Sequence, residues 1–558
     1  MYKYTFQLPS YKLWEYEFEL AKREIRSLIS PDVQLVLTQD GFQIEQVHPI
    51  DINKLKNLCF CHCVVVDSDN QGEVINTQQA ISESSAKIAD RAMDFAELQQ
   101  KIETLTLVPN GRKVSTYGVH GLHTYKGKFY PQLVKSLINY SGVESGSVFL
   151  DPFMGCGTAV IEGFLAGMVA IGIDMNPLAH FISKTRLSCL NLSSEDIERG
   201  FNTLLVNLEK HLPDGDTTSV LDVATVTDLG MRLSLKYEME DIEYLISWFP
   251  LPVLYKLFRI VQAIEYISIP AMRDFFFVTL SDMMNHVSQQ KPTQLRIGRR
   301  TKPIEDAPVY KKFSELVHRN TFRLRAFLGG FTSEQLTHDF SCFLGDIRHV
   351  EQIQSPYLKQ DNRVDMIITS PPYATALPYI DTDRLSLAFL NLLNKRQKPA
   401  VERALIGSRE IQTSLKNQLE QEFFDNYNHC PLPQEIKETI KRIYDLNYDA
   451  QVGFRRKNKP SLLYRYFMDM RTAMLQMHRL LKEDGACLII IGDNVTTAGD
   501  AKCQIPIPTA RFLRLISESI GFQIEEEIPI TVSRENVAHF RHAITRNKIL
   551  VFKRGSDG

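Results

Sequence analysis

Short apolar runs that end in an acid or a turn constrain this chain more than any other feature. Ser147-Val148-Phe149-Leu150-Asp151 runs directly into glycine-rich sequence, and Val169-Ala170-Ile171-Gly172-Ile173-Asp174 repeats the pattern. Val364-Asp365-Met366-Ile367-Ile368 and the run at 487–493 repeat it again. Runs of this length without polar alternation read as strands buried on both faces. Such strands, each followed by a turn and a helix, make a parallel α/β sheet. The longest of them is far too short to cross a membrane.

The rest of the chain sorts around these strands. Residues 1–105 mix strand-like pieces (33–37 and 63–67) with charged helical pieces (13–29 and 86–105), which reads as a small α+β unit. Residues 190–338 are strongly helical, with amphipathic runs at 241–249 and 313–327, and residues 394–460 are polar and helical. Two helix-rich insertions within one α/β sheet follow. With 558 residues, 44% of them hydrophobic, the chain has room for several such units and a large core. No apolar signal core opens it, and nine cysteines without framework spacing suggest reduced thiols, so a cytoplasmic protein is expected. Sixty-four Lys and Arg against 66 Asp and Glu leave a net charge of −2. That excludes a chain-wide polycation, though not a local basic groove.

The first strand runs into Asp151-Pro152-Phe153-Met154-Gly155-Cys156-Gly157-Thr158. Small residues here let backbone approach a ligand, and the following helix offers free N–H groups. A phosphate loop is excluded because no Gly-Lys-Ser/Thr follows, and Val160 stands where a dinucleotide fingerprint would have its third glycine. Asp174 ends the second strand, where a carboxylate can accept the hydroxyls of a ribose. A ribose acid with a glycine turn and no phosphate chemistry points to an adenosyl ligand without phosphates, S-adenosylmethionine being the natural candidate. A plain strand–glycine–helix turn of any α/β protein accounts for this element equally well.

Thr369-Ser370-Pro371-Pro372-Tyr373 follows the strand at 364–368. Tandem prolines stiffen the chain and donate no hydrogen bonds, so nearby carbonyls can serve as acceptors. Acceptors followed by an aromatic ring suit a planar amine that is both hydrogen-bonded and stacked.

Together, DPFMGCGT and TSPPY resemble the S-adenosylmethionine-dependent amino-methyltransferases that act on exocyclic nitrogens of bases in DNA. Serine before the two prolines is the cytosine-N4 form; Asp or Asn is more usual in adenine-N6 enzymes. His123 to Pro131 (HTYKGKFYP) resembles the segment covering the cofactor methionine. Gly345-Asp346-Ile347-Arg348 sits where the family contacts the adenine, and residues 380–387 resemble the helix after the catalytic loop. Segments 480–493, 508–522 and 547–553 resemble the fifth strand, its helix and the closing hairpin.

The resemblance implies a Rossmann-like methyltransferase sheet, mostly parallel with an antiparallel strand toward its C-terminal end. It divides the chain into an N-terminal α+β unit (1–105), a cofactor-binding core part (106–190) and a helical insertion (191–338) that is the candidate for target recognition. A catalytic-loop part (339–393), a second helical insertion (394–460) and a C-terminal core part (461–558) complete it. The implied catalytic residues are Ser370, Pro371, Pro372 and Tyr373. The implied cofactor-binding residues are Lys128, Phe129, Asp151, Pro152, Phe153, Gly155, Gly157, Thr158, Asp174 and Asp346. The implied partner is duplex DNA, with a cognate restriction endonuclease as a further partner; no metal is implied. The cofactor motif precedes the catalytic motif here, the reverse of many cytosine-N4 enzymes, and Cys156 stands where serine is common. Adenine-N6 methylation of DNA and guanine-N2 methylation of RNA are the rival readings, the second kept open by the N-terminal unit.

Phosphate contacts need Lys and Arg. The candidates are Arg296, Arg299 and Arg300, with Lys302, in the first insertion, and Arg455, Arg456 and Lys457, with Lys459, in the second; a solvated loop explains either cluster as well. Cys59-Phe60-Cys61-His62-Cys63 would put three thiols on one strand face, but no second ligand pair follows, so buried free thiols are expected. Asp381 and Asp383 read as an exposed helix start, His120 and His123 as structural or lid contacts, and Met468, Met470, Met474 and Met477 as core.

Overall fold

The computed structural model describes residues 1–29, 31–68, 71–104, 114–216, 222–291, 298–374, 379–531 and 546–555. Five N-terminal strands, β1 (Tyr2–Gln7), β2 (Val36–Leu37), β3 (Gly41–Gln46), β4 (Cys63–Ser68) and β5 (Gln71–Asn76), form an antiparallel sheet in the order β2-β3-β1-β4-β5. Four parallel strands follow: β6 (Val148–Asp151), β7 (Val169–Asp174), β8 (Phe340–Leu344) and β9 (Val364–Thr369). Then come β10 (Leu481–Gly492), a hairpin of β11 (Asn494–Ala498) and β12 (Cys503–Ile507), β13 (Phe522–Thr531) and β14 (Arg546–Arg554). The main sheet has seven strands in the order β13-β14-β10-β9-β6-β7-β8. Only β14 runs against its neighbours, pairing antiparallel with both β10 and β13. This is the Rossmann-like methyltransferase topology. Strand order reverses between β6 and β9, and open α/β sheets bind ligands at such a switch point, beyond the carboxyl ends of the strands.

Alternate residues of the central strands enter different cores, as the strand period of two requires. Phe149, Met366, Ile368, Leu488 and Ile490 pack with the N-terminal sheet and the helix Pro131–Ser141. Leu150, Ile367, Cys487, Ile489 and Ile491 pack with the helices Lys459–Leu480 and Thr509–Ser519 on the opposite face. Met470, Met474 and Met477 belong to that second core and Met468 packs at its edge, as their helical spacing suggests. The helices of residues 194–328 form a third core with the helices Thr158–Leu165 and Pro177–Leu190.

Several local expectations need correction. The helical stretch expected at 86–105 is two helices, Gln78–Ala89 and Phe95–Glu103, the second starting afresh where Asp94 caps the Glu97 amide. Cys59 and Cys61 precede the strand that Cys63 begins, so the three thiols do not share a strand face; all three are free and buried. No helix among the described residues is long and apolar enough to cross a membrane.

Candidate active site

The two motifs meet at the carboxyl ends of adjacent strands. β6 and β9 pair through Phe149–Met366 and Leu150–Ile367, and Thr369 Oγ1 donates to Asp151 Oδ1 at 2.6 Å. One short bond thus joins residues 218 apart in sequence. The Phe153 amide donates to the same oxygen at 3.0 Å. Asp151 Oδ2 is buried with no hydrogen-bond partner, and burial pushes the carboxyl up to about 7. A buried acid with an unused oxygen is an acceptor for a cationic ligand group.

Beyond Asp151 the chain turns through Gly155 and Gly157, both left-handed with φ of 52° and 81°. A Cβ on Gly157 would lie 2.8 Å from Ser183 Oγ, so only glycine allows this turn to sit against the helix Pro177–Leu190. Gly172 of β7 has a related reason: a Cβ there would meet Met154 Sδ at 2.3 Å. Asp174, at the end of β7, accepts from the Gly155 and Asn176 amides at 2.8 Å each and is raised to about 6 by burial. Arg186, fully buried, donates to the carbonyls of Cys156, His120 and His123, tying the glycine turn to the segment 120–125 above it.

These elements enclose a cleft at the carboxyl ends of the central strands. Of the residues expected to hold a cofactor, Pro152, Phe153, Gly155, Asp174 and Asp346 line it; of those expected to be catalytic, Ser370 and Pro372 do. Asp151, Gly157 and Thr158 stand behind the lining. Asp151 and Thr158 are buried, Thr158 as the first residue of its helix. Lys128 and Phe129 do not line the cleft. Lys128 Nζ is bonded to the carbonyls of Ser115 and His120, and Phe129 packs against the core shared with the N-terminal sheet. Their neighbours Tyr125 and Gly127 line the cleft instead.

The Ser370–Ala374 loop is held from three directions. Tyr466 Oη donates to the Pro372 carbonyl at 2.9 Å, Asn494 Nδ2 to the Ala374 carbonyl at 2.7 Å, and Asn547 Nδ2 to Tyr373 Oη at 3.2 Å. Pro371 is buried and Tyr373 half-buried. The donors come from the helix Lys459–Leu480, β11 and β14, and fix a segment that has few amide donors of its own.

No family model matches the chain. Over 330 residues it is 24% identical to the Type II methyltransferase M.MvaI of Kocuria varians, spanning 56% of this chain and 64% of that protein. It is also 24% identical to the Type II methyltransferase M.BsoBI of Geobacillus stearothermophilus, across 73% of this chain and 79% of that protein. Both of these relatives are Type II methyltransferases. The chain therefore spans just under two thirds of M.MvaI's length and more of M.BsoBI's. A shorter stretch of 52 residues, 9% of this chain and 16% of the other, is 40% identical to the tRNA (guanine(10)-N2)-dimethyltransferase of Methanothermobacter thermautotrophicus.

Several cleft residues carry no motif. Leu405 and Ile406 reach it from the second insertion, and Arg348 holds them there. Its guanidinium pairs with Asp346 and Asp469 at 2.6 Å each and donates to the Ala404 carbonyl at 2.6 Å. Tyr379, Met175 and Asn176 also line the cleft. Asp383 is not the exposed helix start the sequence suggested. It is half-buried, accepts from Asn176 Nδ2 at 3.0 Å, and is raised by burial to about 6. A carboxylate poised there can take up a proton near neutrality. Asp381 is engaged by Lys398 at 3.0 Å. His120 is structural, bonded to Glu162 at 2.7 Å and pushed down to about 4 by burial. His123 is buried 3.9 Å from Asp282.

The basic clusters divide. Arg296 lies outside the described residues. Arg300 spends donors on the carbonyls of Ser288 and His286, whereas Arg299 is exposed. In the second cluster Arg455 and Lys457 are exposed, and Arg456 donates to the Gly499 carbonyl at 3.3 Å.

Proposed function

We propose that this protein is an S-adenosylmethionine-dependent DNA methyltransferase that methylates the exocyclic N4 amine of an extruded cytosine, in a restriction–modification setting. One observation carries the reading: the cleft lined by Asp174 and Asp346 is the same cleft that Ser370 and Pro372 line. A nucleoside-binding acid and an amine-accepting loop therefore share one cavity. The Type II methyltransferase relatives support DNA as the substrate, and serine before the prolines supports cytosine N4.

The residues fit the cofactor. Asp174 suits the ribose hydroxyls, Asp346 the adenine edge, and Phe153, Ile347 and Ile406 form apolar walls for the base. The unpartnered Oδ2 of Asp151 suits the methionine ammonium. When bound, S-adenosylmethionine supplies an electrophilic methyl group.

The chain's own contribution is positioning. The cytosine amine is a poor nucleophile because its lone pair is delocalised into the ring. The Ser370 hydroxyl and the Pro371 carbonyl accept its two N–H groups and favour a pyramidal nitrogen with its lone pair free to react. Fixed acceptors and alignment supply the acceleration. Tyr373 stacks on the extruded base, and stacking worth about 1–3 kcal/mol offsets much of the unstacking cost. No cysteine nucleophile takes part in this scheme.

A second reading, guanine-N2 methylation of tRNA, is favoured only by the short match to the tRNA dimethyltransferase. One experiment tests both, and adenine N6 with them. The protein is incubated with labelled S-adenosylmethionine and either duplex DNA or tRNA, and the modified nucleoside is identified. N4-methylcytosine in DNA is the expected product. N6-methyladenine would move the target to the other base, and labelled guanine in tRNA would overturn the proposal.

A further inference from the structure

Trp248 ends the helix Met239–Trp248 and is 7% exposed, yet two guanidiniums stack on its ring. Arg299 lies 4.5 Å and Arg384 4.2 Å from the ring centre. They come from separate parts of the chain. Arg299 belongs to the first insertion, where it bridges to Gln290. Arg384 opens the helix Arg384–Phe389, one residue beyond Asp383, whose carboxylate is bonded to the cleft residue Asn176. Arg384 is therefore one residue along the chain from a side chain bonded to the cleft lining.

The pair has more charge than partners. Both guanidiniums lie within 4.5 Å of one ring centre, so they are no more than about 9 Å apart, held against their repulsion by the ring. The acid beside them is Asp381, 3.8 Å from Arg384, and it is shared with Lys398 at 3.0 Å. Asp381 is thus engaged by Lys398 more closely than by Arg384, and Arg299 has no ion-pair partner among the described residues. Neither guanidinium donates a hydrogen bond to a described residue, and Arg384 Nε is buried without a partner. Guanidinium groups bind phosphate through paired N–H donors, and stacking on a ring orders them beforehand.

We infer that Arg299 and Arg384, ordered on Trp248, form a phosphate site for the nucleic-acid backbone next to the extruded nucleotide. The inference rests on the proposed function and adds to it a pair that sequence clustering did not assemble, since Arg384 lies in neither basic run.

The test is the salt dependence of duplex binding. Affinity of the full chain for a methylatable duplex is measured by fluorescence anisotropy between 50 and 250 mM salt, for wild type, Arg299→Gln, Arg384→Gln and the double variant. S-adenosylhomocysteine affinity is measured alongside. Each lost phosphate contact lowers the slope of log K against log salt by about 0.9. The double variant is expected to lose about twice that, with cofactor affinity unchanged. Arg299 is exposed, so its variant keeps the fold and reads the site alone. A wild type that methylates DNA, with variants of unchanged slope, overturns the phosphate site and leaves the proposed function standing. A wild type that neither binds nor methylates DNA overturns both.

Discussion

Asp151→Asn is the most informative single change in this molecule. Burial raises the Asp151 carboxyl from an ordinary value of 3.8 to about 7 in the folded chain. A raised carboxyl favours folding while it is protonated, and that contribution is lost as pH rises from about 4 through 7. Three units at 1.36 kcal/mol each make the full loss about 4 kcal/mol, more than half of it between pH 5 and pH 8. Asparagine keeps the oxygen that accepts from Thr369 and Phe153 but carries no charge. The stability of Asp151→Asn relative to wild type should therefore climb with pH and level off above 7. Urea unfolding of the cofactor-free protein at pH 5, 6.5 and 8 reads this. Comparing the two proteins at each pH cancels the other titrating groups they share. The same substitution removes an ionised partner for an ammonium, a hydrogen bond worth about 1.5–3 kcal/mol, so S-adenosylhomocysteine affinity should fall roughly 10- to 100-fold. A variant whose relative stability is flat across this range, or which binds cofactor as well as wild type, would refute the reasoning.

Other outcomes follow from the same geometry. Ser370→Ala and Tyr373→Ala should each lower kcat by about 100-fold or more with little change in cofactor affinity, whereas Asp174→Ala should do the reverse; steady-state kinetics with isothermal titration separates them. Asn494→Ala frees the Ala374 carbonyl and should cost about 1 kcal/mol of stability and reduce turnover, leaving S-adenosylhomocysteine binding intact. Arg348→Met strands Asp346 and Asp469 and releases the strap bearing Leu405 and Ile406. Breaking so enclosed an ion group costs about 3–5 kcal/mol, and denaturant unfolding and cofactor titration should both register it. Gly172→Ala drives a methyl group into Met154 and should destabilise by about 1–3 kcal/mol in thermal melts.

Local chemistry was legible in the order of the residues. Short apolar runs, each closed by an acid or a turn and followed by a helix, repeat along the chain, so the parallel sheet was legible, as were the acids at its ends. The glycine turn at 155–157 and the Ser-Pro-Pro-Tyr run were legible because backbone conformation and donor count are properties of a few adjacent residues. Tertiary structure decided everything that depends on which distant residues become neighbours. The Thr369–Asp151 bond, the clamps from Tyr466, Asn494 and Asn547, and the strap held by Arg348 join parts of the chain that share no motif. Asp383 looked like an exposed helix start because burial is set by what packs against a residue rather than by its own side chain. For the same reason a run of basic residues was an incomplete guide to charge. Arg300 spends its donors on backbone carbonyls, while Arg384 lies outside any run and reaches Arg299 only through the face of Trp248.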